Sequence, residues 1–94
     1  MTAEEIRKIV IPILRRYNVT RAGLFGSSAR GEDTEVSDVD ILVEFGNDIS
    51  LLDYMKIKLN LEDILNKKVD LVEYQAIKPQ LRKRILSDEI RMYG

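Results

Sequence analysis

Three short apolar runs alternate along this chain with segments whose apolar residues recur at helical spacing. The runs cover residues 19–25, 39–45 and 69–74, each bounded by glycine or polar residues, as is typical of β-strands. Helical spacing covers residues 2–16 and 50–66, and it resumes at Pro79. The order predicts an α/β (α+β) fold, a small mixed sheet of three strands with helices packed on one of its faces.

The helical segments carry recognisable start signals. Thr2 with Glu5, and Ser50 with Asp53, have the spacing of a capping box. Pro12 is expected to kink the first helix or to mark its weak point, because it removes a backbone donor from the helix interior. The segment between the first two strands has room for one helical turn and a loop.

Side-chain patterns predict which faces of the later helices are apolar. The apolar positions of the helix after Ser50 include Leu51, Leu52, Met55, Leu59 and Leu65. In the last helix we expect Leu81, Ile85 and Leu86 to point inward, and Lys78, Arg82, Lys83 and Arg84 to point mostly outward. This basic cluster is either a solvated face or a contact for an acidic partner or RNA. We expect the four tyrosines to pack with their hydroxyls in water.

Composition narrows the chemistry available to the chain. Its 94 residues fit one domain, predicted to span residues 1–94. It has no cysteine, which excludes disulfides and thiolate zinc sites, and no histidine, so acid and base work falls to carboxylates, lysine, tyrosine or water. A net charge of −1 gives no overall positive field to attract nucleic acid, and we do not expect nucleic acid as the direct substrate. With no apolar run long enough to span a bilayer and no signal segment, we expect a cytoplasmic protein with no membrane partner.

Asp38, Asp40 and Asp70 are the residues around which the chemistry is predicted. Asp38 and Asp40 open the second strand two residues apart, so their side chains leave on one face with Cα atoms about 6.7 Å apart. If the strand that carries Asp70 lies alongside, three carboxylates cluster. Such a cluster repels itself unless a cation neutralises it, and carboxylates together with substrate phosphates are what Mg²⁺ prefers.

Gly26 and Ser27 follow the first strand and predict a phosphate contact. A glycine lets a phosphate approach the backbone, and the next amides and the Ser27 hydroxyl can donate to it. Arg30 is either a phosphate ligand or a partner of an acidic residue in the following loop. The acidic residues of that loop are Glu32, Asp33 and Glu35. A calcium loop, a Walker loop and a serine nucleophile are disfavoured, because the required further ligands, lysine and histidine are missing.

Three motifs together resemble the nucleotidyltransferase fold of the DNA polymerase beta superfamily, and most closely its minimal nucleotidyltransferases. They are GSSARG at residues 26–31, SDVDILV at residues 37–43 and VDLV at residues 69–72. The resemblance implies that Asp38 and Asp40 bind two Mg²⁺ ions and that Asp70 completes the triad and helps to activate an acceptor hydroxyl. It also implies that Gly26 and Ser27 hold the phosphates of ATP, whose α-phosphorus is attacked with release of pyrophosphate.

The resemblance also suggests a partner. Larger members of the superfamily add domains that hold the acceptor, and we expect a separate protein to supply it here. Minimal nucleotidyltransferases are typically paired with a HEPN-domain ribonuclease toxin and act as antitoxins by transferring AMP to one of its tyrosines. Two alternatives are a non-catalytic antitoxin that neutralises by binding, and a nucleotidyltransferase for a small molecule or RNA with a separate substrate-binding subunit. A homo-oligomer is also compatible with the sequence.

Overall fold

The computed structural model describes residues 1–31 and 38–94 and contains four helices and four strands within them. The helices are α1 (Ala3–Arg16), α2 (Gly26–Arg30), α3 (Leu51–Leu65) and α4 (Pro79–Asp88). The strands are β1 (Val19–Phe25), β2 (Val39–Phe45), β3 (Val69–Glu73) and β4 (Ile90–Tyr93). They form one mixed sheet in the order β3-β2-β1-β4, in which β2 and β3 are parallel and the other neighbours antiparallel. No helix within this part of the chain is long and apolar enough to cross a bilayer.

The predicted start signals act as expected at α1, and in part at α3. Thr2 and Glu5 form a reciprocal capping box, each side chain bonding the other residue's backbone amide at 3.1 Å. The Ser50 hydroxyl accepts from the Asp53 amide at 3.1 Å, which is one half of the second box. Pro12 lies inside α1 without ending it, and α4 begins at Pro79 as predicted.

The sheet separates two apolar clusters of unequal size. The larger one contains the inward residues of α1 and α3 together with Ala22, Leu24, Ile41 and Val43. Leu42 points to the opposite face because side chains alternate along a strand, and there it packs with Tyr74 and Ile77. Ile85 and Leu86 of α4 join this smaller cluster, so the prediction of helices on one face describes α1 and α3 but not α4.

The prediction of three strands was wrong, because the sheet has a fourth strand. β4 pairs with β1 along its outer edge. It is four residues long, and only Met92 in it is buried, so it shows no alternating pattern that sequence could reveal. Contacts distant in sequence hold it instead, among them a 2.7 Å hydrogen bond from the Tyr93 hydroxyl to the carbonyl of Val19.

The apolar positions named for α3 are mostly on its solvent side. Leu51, Leu52 and Leu59 are 77%, 67% and 57% exposed, and Met55 is also exposed. The buried residues of α3 are Ile57, Leu61 and Leu65. Apolar residues occur on two sides of this helix, so periodicity alone did not indicate which side meets the core. In α4, Leu81 is likewise exposed, whereas Ile85 and Leu86 are partly buried as predicted.

The hydroxyls of all four tyrosines have protein partners, contrary to the prediction. The Tyr54 hydroxyl donates to the carbonyl of Leu71, and the Tyr74 hydroxyl donates to Glu89. The Tyr17 hydroxyl accepts from an amide of Asn60 at 3.4 Å. Half-buried phenols need such partners, because an unpaired hydroxyl away from water is costly.

Candidate active site

Asp40 and Asp70 face each other across neighbouring strands. In the parallel register of β2 and β3 they are direct partners, as Val39 and Val69 are before them. Partners in adjacent strands lie about 4.8 Å apart and project from the same side of the sheet. The strand that carries Asp70 therefore does lie beside the strand that carries Asp40, which is the condition on which the predicted carboxylate cluster depends.

Electrostatics indicate that Asp38 and Arg30 share this site. Burial and, to a smaller extent, the charges of Asp70 and then Asp38 raise the pKa of Asp40 to about 6, while the charge of Arg30 opposes them. The carboxylate of Asp40 is thus both partly desolvated and surrounded by like charge. Any cation that binds beside it relieves this repulsion.

The carboxylates suit Mg²⁺ in chemistry but are not assembled around a common point. Within residues 1–31 and 38–94, no three acidic side chains stand as a ready group for a metal ion. Asp38 and Asp70 are both exposed, so their side chains are free to rotate toward an ion next to Asp40. Hard oxygen donors on one sheet face fit the predicted ion, and the ligand set Asp38, Asp40 and Asp70 stays a prediction.

Gly26 lies against Asp40 at the junction of β1 and α2. Its φ of +67° lies in the left-handed region that side chains disfavour. A Cβ atom at this position would stand 2.3 Å from Oδ2 of Asp40, far inside contact distance. Glycine therefore suits the turn, and a side chain at this position would displace the carboxylate of Asp40 or shift the turn. The predicted phosphate contact of Gly26 and Ser27 adjoins the predicted metal ligand.

Ser28 is a residue that sequence reasoning had not singled out. It is the one buried polar residue among those described, at 2% exposure. Its hydroxyl donates to the backbone carbonyl of Asp38 at 3.4 Å. This bond connects α2 to the start of β2 and so helps to position Asp38. Only its place within the GSSARG motif hinted at such a role.

Arg30 has a partner that the sequence did not suggest. Its Nη1 atom donates to Oδ2 of Asp88 in α4 at 2.7 Å, forming an ion pair. The alternative partners that the sequence suggested for Arg30 lie outside the described residues. They are Glu32, Asp33 and Glu35. Its role as a phosphate ligand stays a prediction.

The sequence of this chain matches a known family over almost its whole length. Residues 8–94 match the family described as "Polymerase beta, Nucleotidyltransferase". The chain belongs to this nucleotidyltransferase family. The resemblance inferred from the three motifs is thereby confirmed, and the protein is a nucleotidyltransferase.

Two relatives and two solved structures place this nucleotidyltransferase more narrowly. A Methanocaldococcus jannaschii protein provisionally named protein adenylyltransferase MJ0435 is 49% identical over 90 residues, covering 96% of this chain and 97% of that protein. Protein adenylyltransferase MntA of Thermococcus cleftensis is 38% identical over 94 residues, covering 96% and 95%. A solved structure provisionally described as a minimal nucleotidyltransferase superposes with a TM-score of 0.81 at 39% identity, covering 96% of this chain and 95% of that one.

The second solved structure shares the fold at lower identity. It is described as a tri-AMPylated Shewanella oneidensis HEPN toxin in complex with MNT antitoxin. The matched chain has a TM-score of 0.77 and 20% identity, covering 99% of this chain and 73% of that one. Together these likenesses confirm the predicted minimal nucleotidyltransferase fold.

The raised pKa of Asp40 predicts how the stability of this nucleotidyltransferase varies with pH. In the unfolded chain the carboxyl titrates near its ordinary value of 3.8, and in the folded protein near 6. The folded state therefore holds the extra proton between these values, so the free energy of unfolding should fall as pH rises from about 4 to about 6. Because Asp40 is partly solvated, we expect a fall of about 1 kcal/mol. Chemical denaturation of metal-free protein across this range measures it.

Two further measurements separate Asp40 from the other carboxyl groups. The Asp40→Asn variant should lose this part of the pH dependence, while Asp63→Asn, which removes an exposed carboxylate of α3, should keep it. Mg²⁺ should raise stability more at neutral pH than at pH values where Asp40 is protonated. An identical pH profile for Asp40→Asn and the unchanged protein would contradict the assignment.

Proposed function

We propose that this nucleotidyltransferase transfers AMP from ATP to a tyrosine hydroxyl of a partner HEPN ribonuclease toxin, and so acts as its antitoxin. Asp38, Asp40 and Asp70 would hold the Mg²⁺ ions, with Gly26, Ser27 and Arg30 at the phosphates. The observation that carries the proposal is the direct pairing of Asp40 with Asp70 beside the close contact of Gly26 with Asp40. It brings the predicted metal ligands and the predicted phosphate loop to one place.

The residues suggest a division of roles in the transfer. The acceptor oxygen forms a bond to the α-phosphorus, the bond from that phosphorus to the bridging oxygen of the β-phosphate breaks, and pyrophosphate leaves. Asp70 lies on an edge strand and is exposed, so it is placed to receive the proton of an incoming hydroxyl. When bound, two Mg²⁺ ions would lower the pKa of the hydroxyl and offset the charge of the leaving group.

A direct transfer suits the side chains that this chain offers. A covalent enzyme intermediate requires an activated nucleophile, which is most often a cysteine or a residue paired with a histidine. The sequence contains neither histidine nor cysteine. The acceptor hydroxyl therefore attacks the nucleotide itself, and the protein binds, orients and accepts the proton.

The proposed partner follows from the relatives rather than from the geometry. Both relatives named above carry the name protein adenylyltransferase, and the Shewanella oneidensis complex pairs an MNT antitoxin with a tri-AMPylated HEPN toxin. A HEPN toxin modified with AMP is the kind of acceptor that these names indicate.

Labelled ATP provides the test. The protein and its copurifying partner are incubated with Mg²⁺ and ATP labelled at the α-phosphate, and in parallel with ATP labelled at the γ-phosphate. We expect label on a partner tyrosine from the first nucleotide only. It should vanish in the Asp38→Ala/Asp40→Ala variant and persist in Asp48→Ala/Asp63→Ala, which removes two exposed carboxylates elsewhere.

The same experiment distinguishes the two alternatives. Label in RNA or a small molecule, with none on protein, would replace the proposed acceptor. Neutralisation of the toxin by the Asp38→Ala/Asp40→Ala variant, with no label transferred by the unchanged protein, would indicate an antitoxin that acts by binding.

A further inference from the structure

An apolar cavity of about 480 Å³ lies beside the edge strand β3, between the first turn of α3 and the 3-10 turn that follows β3. Its apolar lining residues are Ile49, Leu51, Tyr54, Leu71, Val72 and Ala76. Leu51 is 77% exposed, so this apolar surface is open to solvent. Val72 follows Asp70 by two residues in β3, so the two side chains project from the same face of the sheet. The lining of the cavity therefore begins at the next residue of β3 that shares a face with Asp70.

Negative charge adjoins the apolar cavity. A second cavity, of about 420 Å³, shares Ile49 and Glu73 with the first, and Glu44 and Asp48 also line it. Neither lining contains a lysine or an arginine. Within residues 1–31 and 38–94, Glu44 has Arg21 as an ion-pair partner at 3.5 Å, whereas Glu73 has none. The carboxylate of Glu73 is thus uncompensated at the boundary between the two cavities.

The order of the strands indicates the side from which the acceptor arrives. In the transfer proposed above, the attacking and leaving oxygens lie roughly in line on opposite sides of the α-phosphorus. The proposed phosphate contact at Gly26 follows β1, Asp40 is in the neighbouring β2, and Asp70 is in β3 at the edge of the sheet. If pyrophosphate leaves on the β1 side, the acceptor comes from the β3 side, which is where the apolar cavity lies.

We propose that the apolar cavity is a docking site for the acceptor polypeptide and that it takes a large apolar side chain with a lysine or arginine close to it. The proposal rests on the proposed function, in which the acceptor hydroxyl meets Asp70. Charge complementarity decides the occupant. A ribonuclease binds a polyanion and therefore carries exposed basic side chains, which Glu73 attracts. The triphosphate of ATP, which is itself negative, is repelled from this end of the sheet.

Transfer kinetics test the docking site, with the partner purified apart from the nucleotidyltransferase. AMP transfer is measured at varied partner concentration with saturating ATP, and at varied ATP with saturating partner. We expect Leu51→Ser to raise the KM for the partner about tenfold, because it removes an apolar contact at the centre of the proposed interface. The kcat and the KM for ATP should not change. Glu73→Gln should raise the KM for the partner severalfold and make it less dependent on salt.

Each variant has a matched control. Leu59→Ser removes another exposed leucine of α3, and Asp63→Asn removes an exposed carboxylate of the same helix, and neither residue lines either cavity. Both controls should keep the KM of the unchanged protein. If each control behaves like its counterpart, the effect belongs to the surface in general and the docking site is wrong.

Two other occupants would also overturn the proposal. A higher KM for ATP in Leu51→Ser, with the KM for the partner unchanged, would place the nucleobase in the cavity. If the unchanged protein sediments as a dimer and Leu51→Ser as a monomer, a second copy of the chain occupies the cavity. Thermal unfolding of each variant confirms that it is folded.

Calorimetry without ATP separates the docking site from the proposed function. Leu51→Ser should bind the unmodified partner about tenfold more weakly than the unchanged protein does, and Leu59→Ser should match the unchanged protein. This binding pattern without any AMP transfer would overturn the proposed function and keep the docking site. Equal binding by all three proteins would overturn the docking site, whether or not AMP is transferred.

Discussion

Replacing Gly26 by alanine is expected to abolish nucleotide transfer and to destabilise the protein by about 2 kcal/mol or more. Two costs combine. The left-handed backbone at φ +67° costs about 1 kcal/mol for any residue with a Cβ atom. In addition, the new methyl group would lie 2.3 Å from Oδ2 of Asp40, so either the turn or the carboxylate must move. Transfer activity and chemical denaturation measure the two effects.

Gly31 provides a matched control for that substitution. It has a similar φ of +74°, and among residues 1–31 and 38–94 nothing lies within 4 Å of the Cβ atom it would carry. Gly31→Ala should therefore incur the backbone cost without displacing Asp40, and its transfer activity should stay within severalfold of the unchanged protein. If the two variants lose activity equally, the contact between Gly26 and Asp40 is not what the reaction requires.

Asp40→Asn is expected to change activity and stability in opposite directions. Transfer should fall by about a thousandfold or more, because the central carboxylate of the proposed metal site is lost. The metal-free protein should gain about 1 kcal/mol at neutral pH, because asparagine removes a partly buried charge next to Asp70. Labelled ATP and thermal unfolding in a chelating buffer provide the two readouts.

A structural role for Asp40 would give the opposite stability result. A carboxylate that serves mainly to hold the fold together should destabilise the protein when replaced. Asp63→Asn, on the exposed side of α3, should leave both quantities unchanged and controls for the loss of one negative charge. If Asp40→Asn is less stable than the unchanged protein both with and without a chelator, the proposed repulsion between Asp40 and its neighbouring carboxylates is wrong.

The fold was predictable where local signals were strong. Residues 19–25 and 39–45 were predicted as strands with the bounds that the structure has, because each run is apolar and ends at glycine or polar residues. The third strand stops at Glu73, one residue early, because Tyr74 starts a short 3-10 turn. β4 was missed, because contacts remote in sequence hold it in place. These include the hydrogen bond from the Tyr93 hydroxyl to the carbonyl of Val19 at 2.7 Å.

The site was predictable in its residues more than in its geometry. The sequence indicated which carboxylates would meet if the strand around Asp70 lay beside the strand that Asp38 and Asp40 open, and the structure supplies that adjacency. The ion pair of Arg30 with Asp88 was not, because 58 residues separate them and no local pattern connects α2 to α4. Ser28 was overlooked for a similar reason, since its bond to the Asp38 carbonyl depends on how two elements meet.

The outer edge of β3 is already occupied by the protein itself. The Val69 amide donates to Glu62 of α3 at 2.8 Å, and the Leu71 carbonyl accepts from the Tyr54 hydroxyl. At a sheet edge these backbone groups would otherwise attract a foreign strand. Because α3 occupies these two groups, an acceptor polypeptide of the proposed kind would not extend the sheet along this part of the edge. It would present its hydroxyl to the sheet face that carries Asp40 and Asp70 instead.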